Sequence, residues 1–192
     1  MNNAGLPGQR NGIADFDLDR FDRLMAVNLR GPLLAIKCAA PSMIARQHGC
    51  VINIASVSGL RGGYSGHDYS VAKAGLLHLT RSVAVELGQH NIRVNSISPG
   101  PIATGIFARA TGGGDRERSA EPEHAPFAQF LPAHQPMPRV GVTRDVAKVA
   151  VFLASDAAGF VNGQDIAVDG GMSAGRPWSV FVAERETMAA DG

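Results

Sequence analysis

Apolar residues along this chain change their period several times, and each change predicts an element. Over residues 17–46 they fall at Phe21, Leu24, Met25, Leu29, Leu33, Leu34 and Ile36, close to a helical repeat, with Gly31-Pro32 able to kink the middle. One long bent helix is predicted there. The run Val51-Ile52-Asn53-Ile54-Ala55 reads as a buried strand over 49–55. A Gly-rich loop over 58–66 then leads to a helix over 68–88, with Gly88 placed to act as its C-cap. Ile92-Arg93-Val94-Asn95-Ser96-Ile97 predicts a second strand, closed by Ser98-Pro99-Gly100-Pro101 because proline cannot donate to a ladder. Thr143 is a suitable N-cap for a helix reaching residue 154, whose apolar face is Val146, Val149, Ala150 and Leu153. Residues 164–168 predict the last strand. Helices alternating with near-continuous apolar strands imply an α/β fold, a parallel sheet covered on both faces. The tail, 176–192, shows neither a charge run nor low complexity, and no function follows from it.

Composition narrows the function classes. With 192 residues, 45% hydrophobic and 18% charged, the chain suits a single globular domain. Its net charge is +1 with Lys and Arg scattered, so no basic stripe argues for nucleic acid or an anionic membrane. The start lacks an apolar leader core, and no apolar run approaches the ~18 residues of a membrane span, so a cytoplasmic protein is expected. Cys38 and Cys50 lack Cys-x-x-Cys spacing, and the six histidines form no His-x-x-x-His pair, so no metal site is expected. Between 105 and 139 the pattern gives way to Gly112-Gly113-Gly114, mixed charge and five prolines. Such a stretch is either a surface insertion or a lid over a substrate.

Candidate chemistry concentrates in Tyr69-Ser70-Val71-Ala72-Lys73. Positions i and i+4 share a helix face, which brings an ammonium near a phenol. A phenol titrates at about 10 in water, and a nearby positive charge lowers that value, making Tyr69 a candidate general acid or base. Ser56 falls at the carboxyl end of the predicted 49–55 strand, the sheet edge at which open α/β sheets bind ligands. Ser58 competes with it as the relevant hydroxyl. Asn28, beside the expected helix kink, is alternatively a cap for a broken turn. Asn2-Asn3-Ala4-Gly5 on its own reads equally as a turn with local side-chain bonds.

Taken together, Asn2-Asn3-Ala4-Gly5, Asn28, Ser56, Tyr69, Lys73, Pro99-Gly100-Pro101-Ile102-Ala103-Thr104 and Val168-Asp169-Gly170-Gly171 stand in an order and spacing that resembles the short-chain dehydrogenase/reductase family, as far as about Ala174. The resemblance implies a Rossmann-like, doubly wound parallel sheet in one domain, residues 1–175, followed by the tail. It also implies that the first two βα units, roughly 70 to 80 residues at about 30 or more per βαβ unit, are absent. With them go the Gly-rich turn that cradles a pyrophosphate and the residue that separates NAD from NADP. The 192-residue chain alone is therefore expected to bind dinucleotide weakly or not at all and to expose an apolar sheet edge.

The implied activity interconverts an alcohol and a carbonyl with NAD or NADP. Tyr69 would be the general acid/base, and Lys73 would hold ribose hydroxyls and lower the tyrosine pKa. Ser56, favoured over Ser58 by family spacing, would bind the substrate oxygen, and Asn28 would support a water relay. The cofactor would lie on Asn3, Ala4, Gly5, Tyr69, Lys73, Pro99, Gly100, Ile102 and Thr104, with the 105–139 stretch as the lid. A small-molecule alcohol or ketone is the implied substrate. A homodimer or homotetramer through the two long helices is the implied assembly. The alternative is a catalytically silent remnant that acts by pairing with relatives of full length.

Overall fold

Val51 and Ile52 are adjacent in sequence and pack into separate cores, as alternation along a strand requires. In a computed structural model, which describes residues 1–104 and 134–190, these residues belong to β1 (Gly49–Ile54). β1 lies parallel to β2 (Ile92–Pro99), and β2 parallel to β3 (Asp165–Val168), in the order β1-β2-β3. Register runs from Gly49 opposite Ile92 to Ile54 opposite Ile97, and from Ser96 opposite Asp165 to Pro99 opposite Val168. On the far edge of β1, Asn2 forms one parallel bridge, donating to Ile52 O at 2.8 Å and accepting from Ile54 N at 2.9 Å.

Three helices close the two faces. Val51, Ile92 and Val94 pack with Ile36 of α2 (Gly31–Arg46) and with Ala84 and Leu87 of α3 (His67–Gly88). Ile52 and Ile97 pack on the other side with Leu153 of α4 (Thr143–Ala154) and with Ala158. The expected doubly wound parallel arrangement is what the described residues form.

Differences from the sequence expectations have local causes. The long bent helix is α1 (Leu18–Met25) followed by α2, joined at Ala26–Arg30 by a π-helical turn in which Gly31 N bonds back to Ala26 O. The break thus precedes Gly31-Pro32, and Pro41 inside α2 is tolerated. Gly88 is the last residue of α3 and not a left-handed cap. That conformation is taken by Asn91 (φ 57°), while a Cβ on Gly88 would approach Asn162 Nδ2 to 3.0 Å. β2 continues through Ser98 to Pro99, because a proline at the end of a strand forfeits only one donor and Gly100 N takes over by bonding Val168 O at 3.0 Å. Thr143 is the first residue of α4 and not its cap. Its place is filled by the Asp145 carboxylate, which accepts from Val142 N at 3.0 Å and pairs in bidentate fashion with Arg139 at 2.7 and 3.0 Å. This pair holds Asp145 down at about 2.

The tail forms a helix that the sequence pattern did not predict, α5 (Trp178–Ala190), with no buried residue. Trp178 packs on Phe181 at 4.9 Å between ring centroids, Arg176 and Arg185 lie near the Phe181 ring, and Arg176 pairs with Glu184. Of the expected 105–139 lid, residues 105–133 lie outside the described residues.

Candidate functional site

Ser56 sits just past β1, in extended backbone (φ −172°), where its Oγ accepts from Ser58 N at 3.2 Å and opens a short 3-10 turn, Val57–Gly59. Tyr69 lies in the first turn of α3 and Lys73 one turn further, so both rise beside the carboxyl end of β1. The Lys73 ammonium is buried, 5.5 Å from the centroid of the Tyr69 ring, and donates to Ile54 O at 2.7 Å. The Ser56 side chain stands close enough to the Tyr69 phenol to act on it, in the sense that lowers its pKa. Ser56, Tyr69 and Lys73 therefore do converge, and of the two serines it is Ser56 that meets the phenol.

Their electrostatics correct one expectation. The Tyr69 pKa is raised above 10.0, because loss of water outweighs the Ser56 side chain, which acts in the opposite sense. Lys73 does not lower it as expected. Its ammonium faces the ring and is committed to a main-chain carbonyl instead of standing at the phenol oxygen. Burial acts on Lys73 too, pushing its pKa from 10.5 to about 8. At neutral pH the site thus holds a protonated phenol and a cationic amine.

Asn28, buried within the π-helical turn, closes on residue 6 in both directions. Its Oδ1 accepts from Leu6 N at 2.8 Å and its Nδ2 donates to Leu6 O at 3.0 Å. Its side chain does not cap the broken helix. It pins the opening segment, and so brings Gly5 to Lys73: a Cβ on Gly5 would stand 3.6 Å from Asn28 Oδ1 and 4.0 Å from Lys73 Nζ. Asn3 and Ala4, just beyond the Asn2 bridge, are exposed. The bridge itself is held by a buried ladder in which Asn2 Nδ2 donates to Asn53 Oδ1 at 2.7 Å and Asn53 Nδ2 to Thr80 Oγ1 at 2.9 Å.

A second group stands at the carboxyl end of the neighbouring strand. Pro99 ends β2, and Gly100 presses on Asp169, whose Cβ a side chain at 100 would meet at 2.7 Å. Ile102 is buried and bridges Gly141, and Thr104 is exposed, its Oγ1 3.4 Å from Ile102 O. Asp169 accepts from Gly171 N and Ser173 N at 2.9 and 2.7 Å, shaping a turn that Tyr64 Oη grips through Met172 O at 3.1 Å. Pro101 and Ile102 also border a cavity of about 400 Å³ with Gln135, Met137 and Gly170, but Asn28, Ser56, Tyr69 and Lys73 do not line it. Residues 99–104 are thus fixed to the end of β3 and to Gly141, ahead of α4, at the same sheet edge as the first group.

Sequence reasoning missed two buried residues here, Gln9 and Asp68. The Asp68 carboxylate, immediately before Tyr69, accepts from Gln9 N at 3.1 and 3.2 Å. No local signal joins residues 59 positions apart. Among the described residues there is no cluster of three metal-ligating side chains, and no helix is long and apolar enough to cross a membrane.

A family model described as enoyl-(acyl carrier protein) reductase matches residues 1–173. The chain is 39% identical over 175 residues to (+)-borneol dehydrogenase 2 of Salvia officinalis, covering 90% of this chain and 61% of that one. It is 37% identical over 176 residues to levodione reductase of Leifsonia aquatica, covering 91% and 63%. A levodione reductase crystal structure superposes with a TM-score of 0.79 at 36% identity, over 90% of this chain and 65% of that one. A 3-oxoacyl-[acyl-carrier protein] reductase from Brucella melitensis, with bound NAD, superposes with a TM-score of 0.73 at 30% identity, over 90% and 60%. The chain therefore spans about three-fifths of the length of the relatives it matches.

Proposed function

The chain belongs to the short-chain dehydrogenase/reductase family, and on that premise we propose that its site interconverts a small-molecule alcohol and a carbonyl, with NAD or NADP as hydride partner. The observation that carries this reading is the convergence of Ser56, Tyr69 and Lys73 at the carboxyl end of β1.

The residues present suit the nicotinamide end of a dinucleotide. Among the described residues Lys73 directs one of its three donors to Ile54 O, leaving two for sugar hydroxyls. Residue 5 is a glycine, where a side chain would fill the space before that ammonium. In this proposal Lys73 and Tyr69 would hold the ribose, Asn3, Ala4 and Gly5 would lie along the adenosine side, and Ile102 and Thr104 would contact the carboxamide, with Pro99 and Gly100 also lining the cofactor. When bound, the dinucleotide supplies or accepts the hydride.

The chain's own groups manage the oxygen and its proton. Ser56 holds the substrate oxygen and stabilises charge developing on it. Tyr69 Oη gives that oxygen a proton as a carbonyl is reduced, and takes one back as an alcohol is oxidised. Burial raises the Tyr69 pKa, and the neutral phenol is the form that can give a proton to a carbonyl oxygen. Asn28 fixes Leu6, and through it the segment beside Lys73, and in this proposal it would also support a water that relays protons toward the amine. The 105–139 stretch serves as the lid of a domain spanning 1–175. The protein works in the cytoplasm as a homodimer or homotetramer, for which exposed Leu33 and Leu34 on α2 and Val71 and Val85 on α3 offer apolar surface.

The test is oxidation of NADH and NADPH over a carbonyl panel, at millimolar dinucleotide because affinity is expected to be weak. Carbonyl-dependent oxidation that needs Ser56 supports the proposal, and none with either dinucleotide rejects it. A second reading is a catalytically silent partner subunit of the same family. It expects co-purification with a full-length relative and no turnover.

A further inference from the structure

Asp68 is a buried carboxylate with no ion pair among the described residues, and the proton-transfer steps above make no use of it. A buried charge must be met by hydrogen bonds, and these are main-chain and amide donors. Gln9 N reaches both carboxylate oxygens at 3.1 and 3.2 Å, Gln9 Nε2 reaches Oδ2 at 3.4 Å, and Tyr69 N reaches Oδ1 at 2.8 Å. The negative charge also lies in the first turn of α3, where the helix dipole favours it.

Gln9 is equally buried and gripped on its other side. Its Oε1 accepts from Asp17 N at 2.9 Å and its Nε2 donates to Asp17 O at 3.1 Å. Approach is too close for side chains at the neighbouring glycines. A Cβ on Gly66 would fall 2.2 Å from Gln9 O, and one on Gly8 would fall 2.9 Å from both Asp68 Oδ1 and the Cβ of Tyr69. The opening segment is therefore fastened twice, to Asn28 at Leu6 and to Asp68 at Gln9, and the second fastening lies against the tyrosine.

We infer that Asp68 and Gln9 are positioning residues that lock the segment 5–9 onto the first turn of α3 and thereby set where the Tyr69 phenol stands. Neither touches the reacting atoms. Their part in a reaction rests on the function proposed above, but the lock on Tyr69 does not. A change in the pair displaces Tyr69 while leaving distant parts of the chain as they were.

The chain has two tyrosines, Tyr64 and Tyr69, so labelling with [13Cζ]tyrosine gives two resonances, assigned by Tyr69→Phe. In Asp68→Asn the Tyr69 resonance is expected to move toward the position of free tyrosine, with Tyr64 unmoved. Gln9→Ala keeps the main-chain donor and loses the side-chain grip on Asp17, so a smaller shift in the same direction is expected. It also decides the matter if Asp68→Asn fails to fold. An unmoved Tyr69 resonance in a folded variant, or equal movement of both resonances, overturns the inference. The readout needs neither dinucleotide nor turnover, so a chain without turnover fails the proposed reaction and leaves the lock to be judged by the spectra.

Discussion

Helices α3 and α5 differ in what surrounds them. α3 buries Asp68, Ala72, Lys73, Leu76, Leu77, Thr80, Ala84 and Leu87, while α5 buries nothing. In α3 the same packing that secures the helix also removes water from Tyr69 and Lys73 and so sets both pKa values. The contacts described for α5 are local, the Trp178–Phe181 stack and Arg176 and Arg185 near the Phe181 ring. A helix that positions chemistry is tied into the core at several depths, and one that is not so tied has no means of tuning a side chain.

That contrast fixes an order of effects. Leu76→Ala, at a fully packed position of α3, is expected to cost about 2–5 kcal/mol in urea unfolding, and a loss under 1 kcal/mol would break the comparison. Lys73 gives a pH signature. Its pKa is lower folded (about 8) than unfolded (10.5), so the unfolded chain binds more protons between those values and stability rises with pH across that window, by about 3 kcal/mol in all. Thermal melts of the native chain should show the rise, and Lys73→Met should lack it. Gly100→Ala forces a methyl against Asp169 and is expected to cost about 1–3 kcal/mol, read as a lower melting temperature. Trp178→Ala in α5 is expected to stay within about 0.5 kcal/mol. A cost equal to that at Leu76 would mean that α5 packs as α3 does.

Legibility follows the same division. The strands and α3 were readable because Val51 to Ile54 and Leu76 to Leu87 bury regular apolar positions, and periodicity records burial. α5 left no such record, since none of its residues is buried. Ser56, Tyr69 and Lys73 were readable as a motif whose members meet at one sheet edge. The sign of the Tyr69 shift was not, because spacing along a helix says that an ammonium is near a phenol without saying which atom it faces. The partners of Asn28 and Asp68 were hidden for a related reason. Each holds main-chain atoms of Leu6 or Gln9, and a main-chain partner has no side-chain signature.

The most direct test replaces the phenol alone. Carbonyl-dependent NADH or NADPH oxidation is compared between the native chain and Tyr69→Phe at millimolar dinucleotide. A Tyr69 that carries the proton predicts a fall in turnover of about 10²–10⁴-fold with the melting temperature held. Turnover within a few-fold of the native chain would contradict the role assigned to Tyr69.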